Sequence, residues 1–291
     1  MKQKRFNVID LISMIYACTI LILLVLFKRK INNWALYITI YGSFLFLILI
    51  IHKLYIHYGS KKIILFLKYF YPVLTFGIIY KSIEGYVTIL HDGFLDNLVI
   101  NFQYIILGFQ PVLWLEKFIH PVITEIFKFS YFTYYFYVPV AALILFFRKR
   151  WNDLEYFVFI ITFTFYVCYI GFILFPVQGP RFALSSYFGI SNLNGYLFSL
   201  LQDFLMKNGQ TIGAAMPSSH LAVAWNALFL IRKFFGKKPF LIILPLTLLM
   251  SIAIVYNRYH YFMDGIAGII VSFLCFRIGT RIYNKYNTIQ E

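Results

Sequence analysis

His220 closes one short polar cluster, Pro217-Ser218-Ser219-His220, while His260 and Asp264 belong to a second that runs from Tyr256 to Asp264. Each cluster sits at the mouth of a long apolar run, where ionisable groups are costly unless paired or used. Pro217 suits the first turn of a helix. Ser218 and Ser219 would then offer hydroxyls and unbonded backbone N–H groups at a positive helix end, a setting that takes an anion such as phosphate. His260 and Asp264 are one helical turn apart, and the spacing predicts a carboxylate holding one imidazole nitrogen while the other faces a substrate. A third polar segment, Pro176-Val177-Gln178-Gly179-Pro180-Arg181, also follows an apolar run. Its prolines and glycine force a turn, and an arginine just beyond such a turn can reach back over a membrane-facing cavity.

The rest of the chain must hold these groups, and its composition says in what medium. Of 291 residues, 61% are hydrophobic, 21% aromatic and only 13% charged, with a mean hydropathy of +0.77. Soluble domains average about 45–50% apolar and about 25% charged residues, so this is an integral membrane protein. The net charge of +15, from 26 Lys and Arg against 11 Asp and Glu, reads as positive-inside topology and attraction to anionic headgroups. No basic patch is attached to a soluble fold, so nucleic acid is not an expected partner. Cys18, Cys168 and Cys275 lie apart within apolar runs, which points to packing rather than a disulfide framework or a metal site. The basic start from Met1 to Arg5 imitates a signal peptide, but no small-x-small cleavage site precedes Lys28-Arg29-Lys30, so a retained first helix is expected.

Apolar runs predict spans at residues 11–27, 34–56, 63–80, 128–147, 154–175, 217–235, 240–255 and 259–276. Residues 98–115 are apolar but broken by Asn101, Gln103, Gly108, Gln110 and Pro111, and read as an interfacial or re-entrant segment. His120 and Glu125 in the next linker read as loop and interface residues. Residues 197–206 predict a short amphipathic helix with Gln202, Asp203 and Lys207 outward and Phe198, Leu201 and Leu205 toward the bilayer. The fold class is an all-α polytopic membrane protein of about eight spans. A cytoplasmic N-terminus puts the basic loops 59–62, 148–150 and 232–238 and the tail in the cytoplasm, with Lys28-Arg29-Lys30 on the opposite side. Arg181, His220 and His260 then share the extracytoplasmic face.

At these residues the sequence resembles the type 2 phosphatidic acid phosphatase (PAP2) superfamily, and within it the branch that includes inositol phosphorylceramide synthase. The family's Pro-Ser-Gly-His segment is matched by Pro217-Ser218-Ser219-His220, with Ser219 in the place of the usual Gly. Its His-x-x-x-Asp is matched by His260 and Asp264, followed by the similar Gly265-Ile266-Ala267-Gly268. Its first segment pairs a Lys with Arg-Pro; here Gly179-Pro180-Arg181 resembles the synthase-like version, without the Lys and with Pro before Arg. The arginine that the family places six residues before the second histidine is Ile254 here, and Arg258 stands two residues before it. The resemblance implies a six-helix core with additional N-terminal transmembrane helices. The expected division is residues 1–120 for those helices and the re-entrant segment, 121–280 for the catalytic core and 281–291 for a polar cytoplasmic tail.

It also implies roles that the chemistry supports. His260 attacks phosphorus to give a phosphohistidine and Asp264 orients the ring; His220 protonates the leaving oxygen, then deprotonates the acceptor. Arg181 and Arg258 grip the phosphoryl oxygens, with Ser218 and Ser219 as neutral donors. Neither metal nor cofactor is needed. The expected function is a lipid phosphatase in a plasma or inner membrane, acting at the extracytoplasmic face on a lipid phosphate or phospholipid. Phosphotransfer to a lipid or polyol hydroxyl is the alternative, for which no stretch of sequence offers an acceptor pocket. A transporter would need broken half-helices with inverted symmetry, which the sequence lacks. An inactive scaffold is the third class, kept open by the missing Lys and displaced Arg.

Overall fold

The structure, a computed structural model, describes residues 5–290; the basic residues Lys2 and Lys4 and the final Glu291 lie outside them. The chain forms α1 (Val8–Leu26), α2 (Trp34–Tyr58), α3 (Lys62–Ile83), α4 (Asp96–Leu107), α5 (Pro111–Trp114), α6 (Pro121–Phe147), α7 (Trp151–Leu174), α8 (Pro180–Ala183), α9 (Leu197–Gly209), α10 (Ser219–Phe235), α11 (Lys237–Tyr256) and α12 (Phe262–Gln290). Among the described residues there is no sheet, only one isolated parallel bridge between Val177 and Ala214.

Seven of these helices are long and apolar enough to cross a membrane: α1, α2, α3, α6, α7, α11 and α12. The eighth expected span, α10, has 17 residues, roughly 25 Å at about 1.5 Å per residue. It lies between the same two ends as its neighbours α7, α11 and α12 and packs against them. The most central span is α7, whose apolar window is 67% buried against 22% for α2. It packs on α1, α3, α6, α10 and α12. This is a multi-spanning all-α membrane fold.

The re-entrant reading of residues 98–115 is consistent with the geometry. The pair Asp96–Leu107 and Pro111–Phe118 bends by 72° after Gly108, which takes a left-handed conformation. Asp96 at its start bonds Gly179, and Glu116 near its finish bonds Gly189. Both ends therefore meet the loop after α7, and the segment returns to the end from which it left.

Contacts sort the loops into two ends. At one end Arg150 bonds Asp153 and the Phe234 carbonyl, and Tyr286 near the C-terminus bonds the Phe6 carbonyl near the N-terminus. A cavity of about 710 Å³ there is lined by residues including Gly59, Trp151, Lys233 and Tyr283, which brings three basic turns together. Arg181, His220 and His260 lie at the other end. Lys28–Lys30 also sits there, with Lys30 3.6 Å from Asp92, as the span count requires.

Some boundaries move for local reasons. The α6 helix starts at Pro121 rather than 128, because Pro121 takes the first helical position and His120 caps it through Val122 N–H. The expected polar tail continues α12 as helix. The expected faces of α9 hold in part: Leu201, Asp203 and Lys207 are exposed, whereas Gln202 turns inward. Ser199 and Gln202 are buried, Asp203 reaches Lys128 on α6, and Leu197, Leu200 and Phe204 face outward. Lys128 on α6 holds Asp203 at the rim, and Leu197, Leu200 and Phe204 are left for lipid. Glu125 fixes this orientation by accepting from the N–H groups of Tyr196, Phe198 and Ser199 at 2.6, 2.6 and 3.2 Å.

Candidate active site

Three loop segments, distant in sequence, are laced together by their backbones. Val177 N–H donates to the Gly213 carbonyl at 3.3 Å, and Ala215 N–H donates to the Val177 carbonyl at 3.0 Å. Arg181 N–H donates to the Arg258 carbonyl at 3.1 Å. Gly179 permits this approach: its φ is +95°, and a Cβ there would lie 2.8 Å from the Tyr259 carbonyl oxygen. The Ser218 N–H donates to the Asp264 carbonyl at 2.9 Å. A Cβ on Gly268 would meet the Ser218 carbonyl oxygen at 2.5 Å, so that glycine lets the start of α10 lie on α12.

His260 is 4% exposed, and its Nδ1 lies 2.9 Å from the Ala215 carbonyl oxygen. A carbonyl only accepts, so Nδ1 carries the hydrogen and the neutral ring keeps its lone pair on Nε2. The ring of His220 stands 5.9 Å away, centroid to centroid. Around it are Tyr131 at 5.3 Å, Tyr134 at 5.4 Å and Tyr80 at 6.5 Å. Its Nδ1 is buried with no hydrogen-bond partner among the described residues.

Arg181 joins the two histidines in the wall of a chamber of about 40 Å³, which also includes Gln210 and Tyr259. That is room for a group of a few heavy atoms. The Arg181 guanidinium donates to Gln210 Oε1 at 3.0 Å and lies 4.7 Å from the Tyr259 ring centre. No carboxylate pairs with it among the described residues. Burial pushes the Tyr259 phenol well above its ordinary range, so it remains a neutral hydroxyl, placed 3.3 Å from Lys128 Nζ. Beyond the chamber is a second cavity of about 680 Å³; Arg181, Met206 and Gln210 belong to both walls.

Four expected site residues are placed otherwise than the spacing suggested. Pro217 precedes α10 instead of opening it, and Ser218 is the N-cap, its hydroxyl accepting from Leu221 N–H. Ser218 and Ser219 are 0% and 2% exposed, and neither lines the chamber. Asp264 does not make the His260 hydrogen bond, since its Oδ2 lies 3.6 Å from Nδ1. That oxygen accepts from Tyr261 N–H at 2.8 Å, while Oδ1 is buried without a partner among the described residues. The residue that fixes the ring is the backbone of Ala215. Arg258, at φ +61°, does not line the histidine chamber. It pairs with Glu116 at 2.6 Å and donates to the carbonyls of Ile190 and Ser191. Burial lowers its pKa, and the Glu116 carboxylate opposes that shift.

One buried carboxylate holds the frame from outside the three segments. Asp96, 5% exposed, accepts from Gln178 N–H at 2.9 Å, Gly179 N–H at 3.0 Å and the Tyr261 hydroxyl at 3.0 Å. It therefore ties the turn before Arg181 to the residue after His260. Gln103 adds a bond from Phe262 N–H at 3.0 Å. An acid at the mouth of an apolar run was the available signal, the one that marked Asp264.

A family model described as the PAP2 superfamily matches residues 105–278, a stretch that holds all three laced segments and the second half of the re-entrant pair. No curated protein and no solved structure matches the chain. With more than half its length matched, and the two histidines and Arg181 gathered at one chamber, the chain belongs to the PAP2 superfamily.

Proposed function

We propose that the protein is a membrane phosphatase that hydrolyses a lipid phosphate through a phosphohistidine. The observation that carries this reading is the His260 ring held on the Ala215 carbonyl, with His220 and Arg181 beside it in one small chamber. In the first step His260 Nε2 forms a bond to phosphorus as the bond to the leaving oxygen breaks, and protonated His220 gives that oxygen its proton. In the second, water attacks phosphorus, its proton passes to His220, and the phosphorus–nitrogen bond breaks. Arg181 holds the phosphoryl oxygens through both steps. Asp264, close to the ring without bonding it, stabilises the positive charge on His260. Residues 121–280 form the catalytic core in this reading, with the earlier helices as its support.

Purified protein in bilayers should release phosphate from a lipid phosphate monoester in the presence of a chelator. Loss of activity on chelation, restored by one specific metal ion, would remove the assignment. Transfer to an alcohol instead of water is the second reading. It is supported by the Pro180-Arg181 order of the synthase-like branch and by the polar cavity beside the chamber. A radiolabelled phospholipid separates the two: label moving mainly into a second lipid or a polyol favours transfer, and free phosphate favours hydrolysis.

The basic loops at the opposite end support a chamber on the extracytoplasmic side. A cysteine replacing Asn194 should react with an impermeant maleimide added to intact cells, and a reporter fused after Glu291 should behave as cytoplasmic. The opposite pattern would move the chemistry to the cytoplasmic face.

A further inference from the structure

At the end of the bundle opposite the histidine chamber, the cavity of about 710 Å³ is walled by five helices. Six aromatic side chains line it: Tyr55 on α2, Tyr69 on α3, Trp151 and Tyr156 on α7, Phe234 on α10 and Tyr283 on α12. Tyr55, Tyr69 and Tyr283 lie outside residues 105–278, so this wall is not a feature of the matched core alone. Two charges in it have no partner of opposite sign. Lys233 is exposed, with Nζ 4.0 Å from the centre of the Tyr156 ring and no carboxylate partner among the described residues. Glu155 is partly buried and makes no hydrogen bond or ion pair among the described residues. Its oxygens are not among those sealed from solvent. Lys68, whose field reaches Glu155, is itself bonded to Asp10, and Asp153, the other acid of the wall, is bonded to Arg150 at 2.7 Å. The wall therefore holds one unmatched negative charge and one unmatched positive charge that do not meet each other.

We infer that this cavity binds a phosphoammonium zwitterion, the headgroup chemistry of phosphatidylethanolamine and phosphatidylcholine, with the ammonium at Glu155 and the phosphate at Lys233. Such a group carries both charges on one short chain and so meets both side chains at once. A purely anionic headgroup is repelled by Glu155, and a simple organic cation leaves Lys233 unmet. The aromatic faces add attraction for an ammonium. Lys233 over Tyr156 is a contact of that kind already made within the wall. Depth agrees as well. Trp151 opens α7 and Gly59 caps α2, so the cavity lies where span ends meet lipid headgroups. A volume of about 710 Å³ is in the range of pockets for small molecules. The inference is independent of the chemistry proposed for the histidine chamber.

In the first assay, full-length protein in detergent is mixed with equimolar phosphatidylethanolamine, phosphatidylcholine and phosphatidylglycerol, and the retained lipids are read by native mass spectrometry. In the second, the same protein is titrated calorimetrically with glycerophosphoethanolamine, glycerophosphocholine and glycerophosphoglycerol. At least one zwitterionic form should be favoured about fivefold or more over its anionic counterpart, and a smaller ratio in both assays would overturn the inference. A preference among the lipids marks a bilayer headgroup as the occupant, and a preference only among the soluble forms marks a free solute. Glu155→Gln, which keeps the shape of the side chain, should bring the ratio below about twofold. Lys233→Gln, at an exposed position, should weaken zwitterionic and anionic forms alike by about threefold and leave the ratio unchanged. A Glu155→Gln protein that keeps the wild-type ratio, or a Lys233→Gln protein that binds every form as tightly as wild type, would overturn the inference. Either result leaves the phosphatase reading standing.

Discussion

His260→Gln is expected to lower kcat for lipid phosphate by about 10⁴-fold or more, the scale on which enzymes lose rate when a covalent nucleophile is removed. Glutamine keeps a polar side chain near the Ala215 carbonyl, so the loops stay laced while the nitrogen that would attack phosphorus is gone. Wild-type protein mixed rapidly with labelled substrate should carry acid-labile label, and the variant should carry none. A variant retaining more than about one part in a hundred of wild-type kcat would show that another group attacks. Asp264→Asn provides the internal contrast. Where a carboxylate is the hydrogen-bond partner of a catalytic histidine, as in serine-protease triads, the Asn substitution costs about 10⁴-fold because the ring takes the wrong tautomer. Here the Ala215 carbonyl sets the tautomer at 2.9 Å while the carboxylate stands off at 3.6 Å. The loss at Asp264 should therefore be much smaller, about 10–100-fold, through weaker stabilisation of the charged ring.

That contrast also marks what the sequence could and could not disclose. The spans were legible because a helix in lipid must carry a long apolar run, and the histidines because ionisable groups at span mouths stand out against it. Arg181 was legible through the turn that precedes it. The partner of His260 was not, because it is a backbone carbonyl, and every residue has one. The fate of Arg258 was equally hidden: its spacing from His260 is that of a site residue, but a left-handed backbone at φ +61° and the position of Glu116 aim it elsewhere. The same limit explains α9. Its amphipathic pattern is real, but whether the polar side faces water or the protein depends on Lys128 and Glu125 of α6, which no local pattern reveals. Asp96 carried a signal of the right kind, diluted by its acidic neighbours Glu84 and Asp92.

Arg181 and Arg258 should separate cleanly when each is changed to glutamine. Arg181 is the arginine that lines the chamber and has no carboxylate partner among the described residues. Its charge is free to meet a phosphoryl group. Removing it should lower kcat/KM by about 10²–10³-fold, the usual effect of deleting one preorganised donor to developing charge. Stability should change little, since Gln210 and the Tyr259 ring are neutral and lose no charged partner. Arg258 is the reverse case. Its side chain is 8% exposed and that of Glu116 18%, so Arg258→Gln leaves a largely buried carboxylate unpaired. The expected loss of stability is about 3 kcal/mol, the low end for breaking a buried pair because some solvent reaches Glu116. Folded Arg258→Gln protein should keep kcat/KM within about tenfold of wild type, because the guanidinium is held by the Ile190 and Ser191 carbonyls and does not line the histidine chamber. The double variant Arg258→Gln with Glu116→Gln should recover much of the lost stability, since no orphaned charge remains. Kinetics and thermal unfolding of the three variants decide the matter. A catalytic defect at Arg258 equal to that at Arg181, with stability intact, would mean that Arg258 swings to the phosphate when substrate binds, and the division of labour argued here would be wrong.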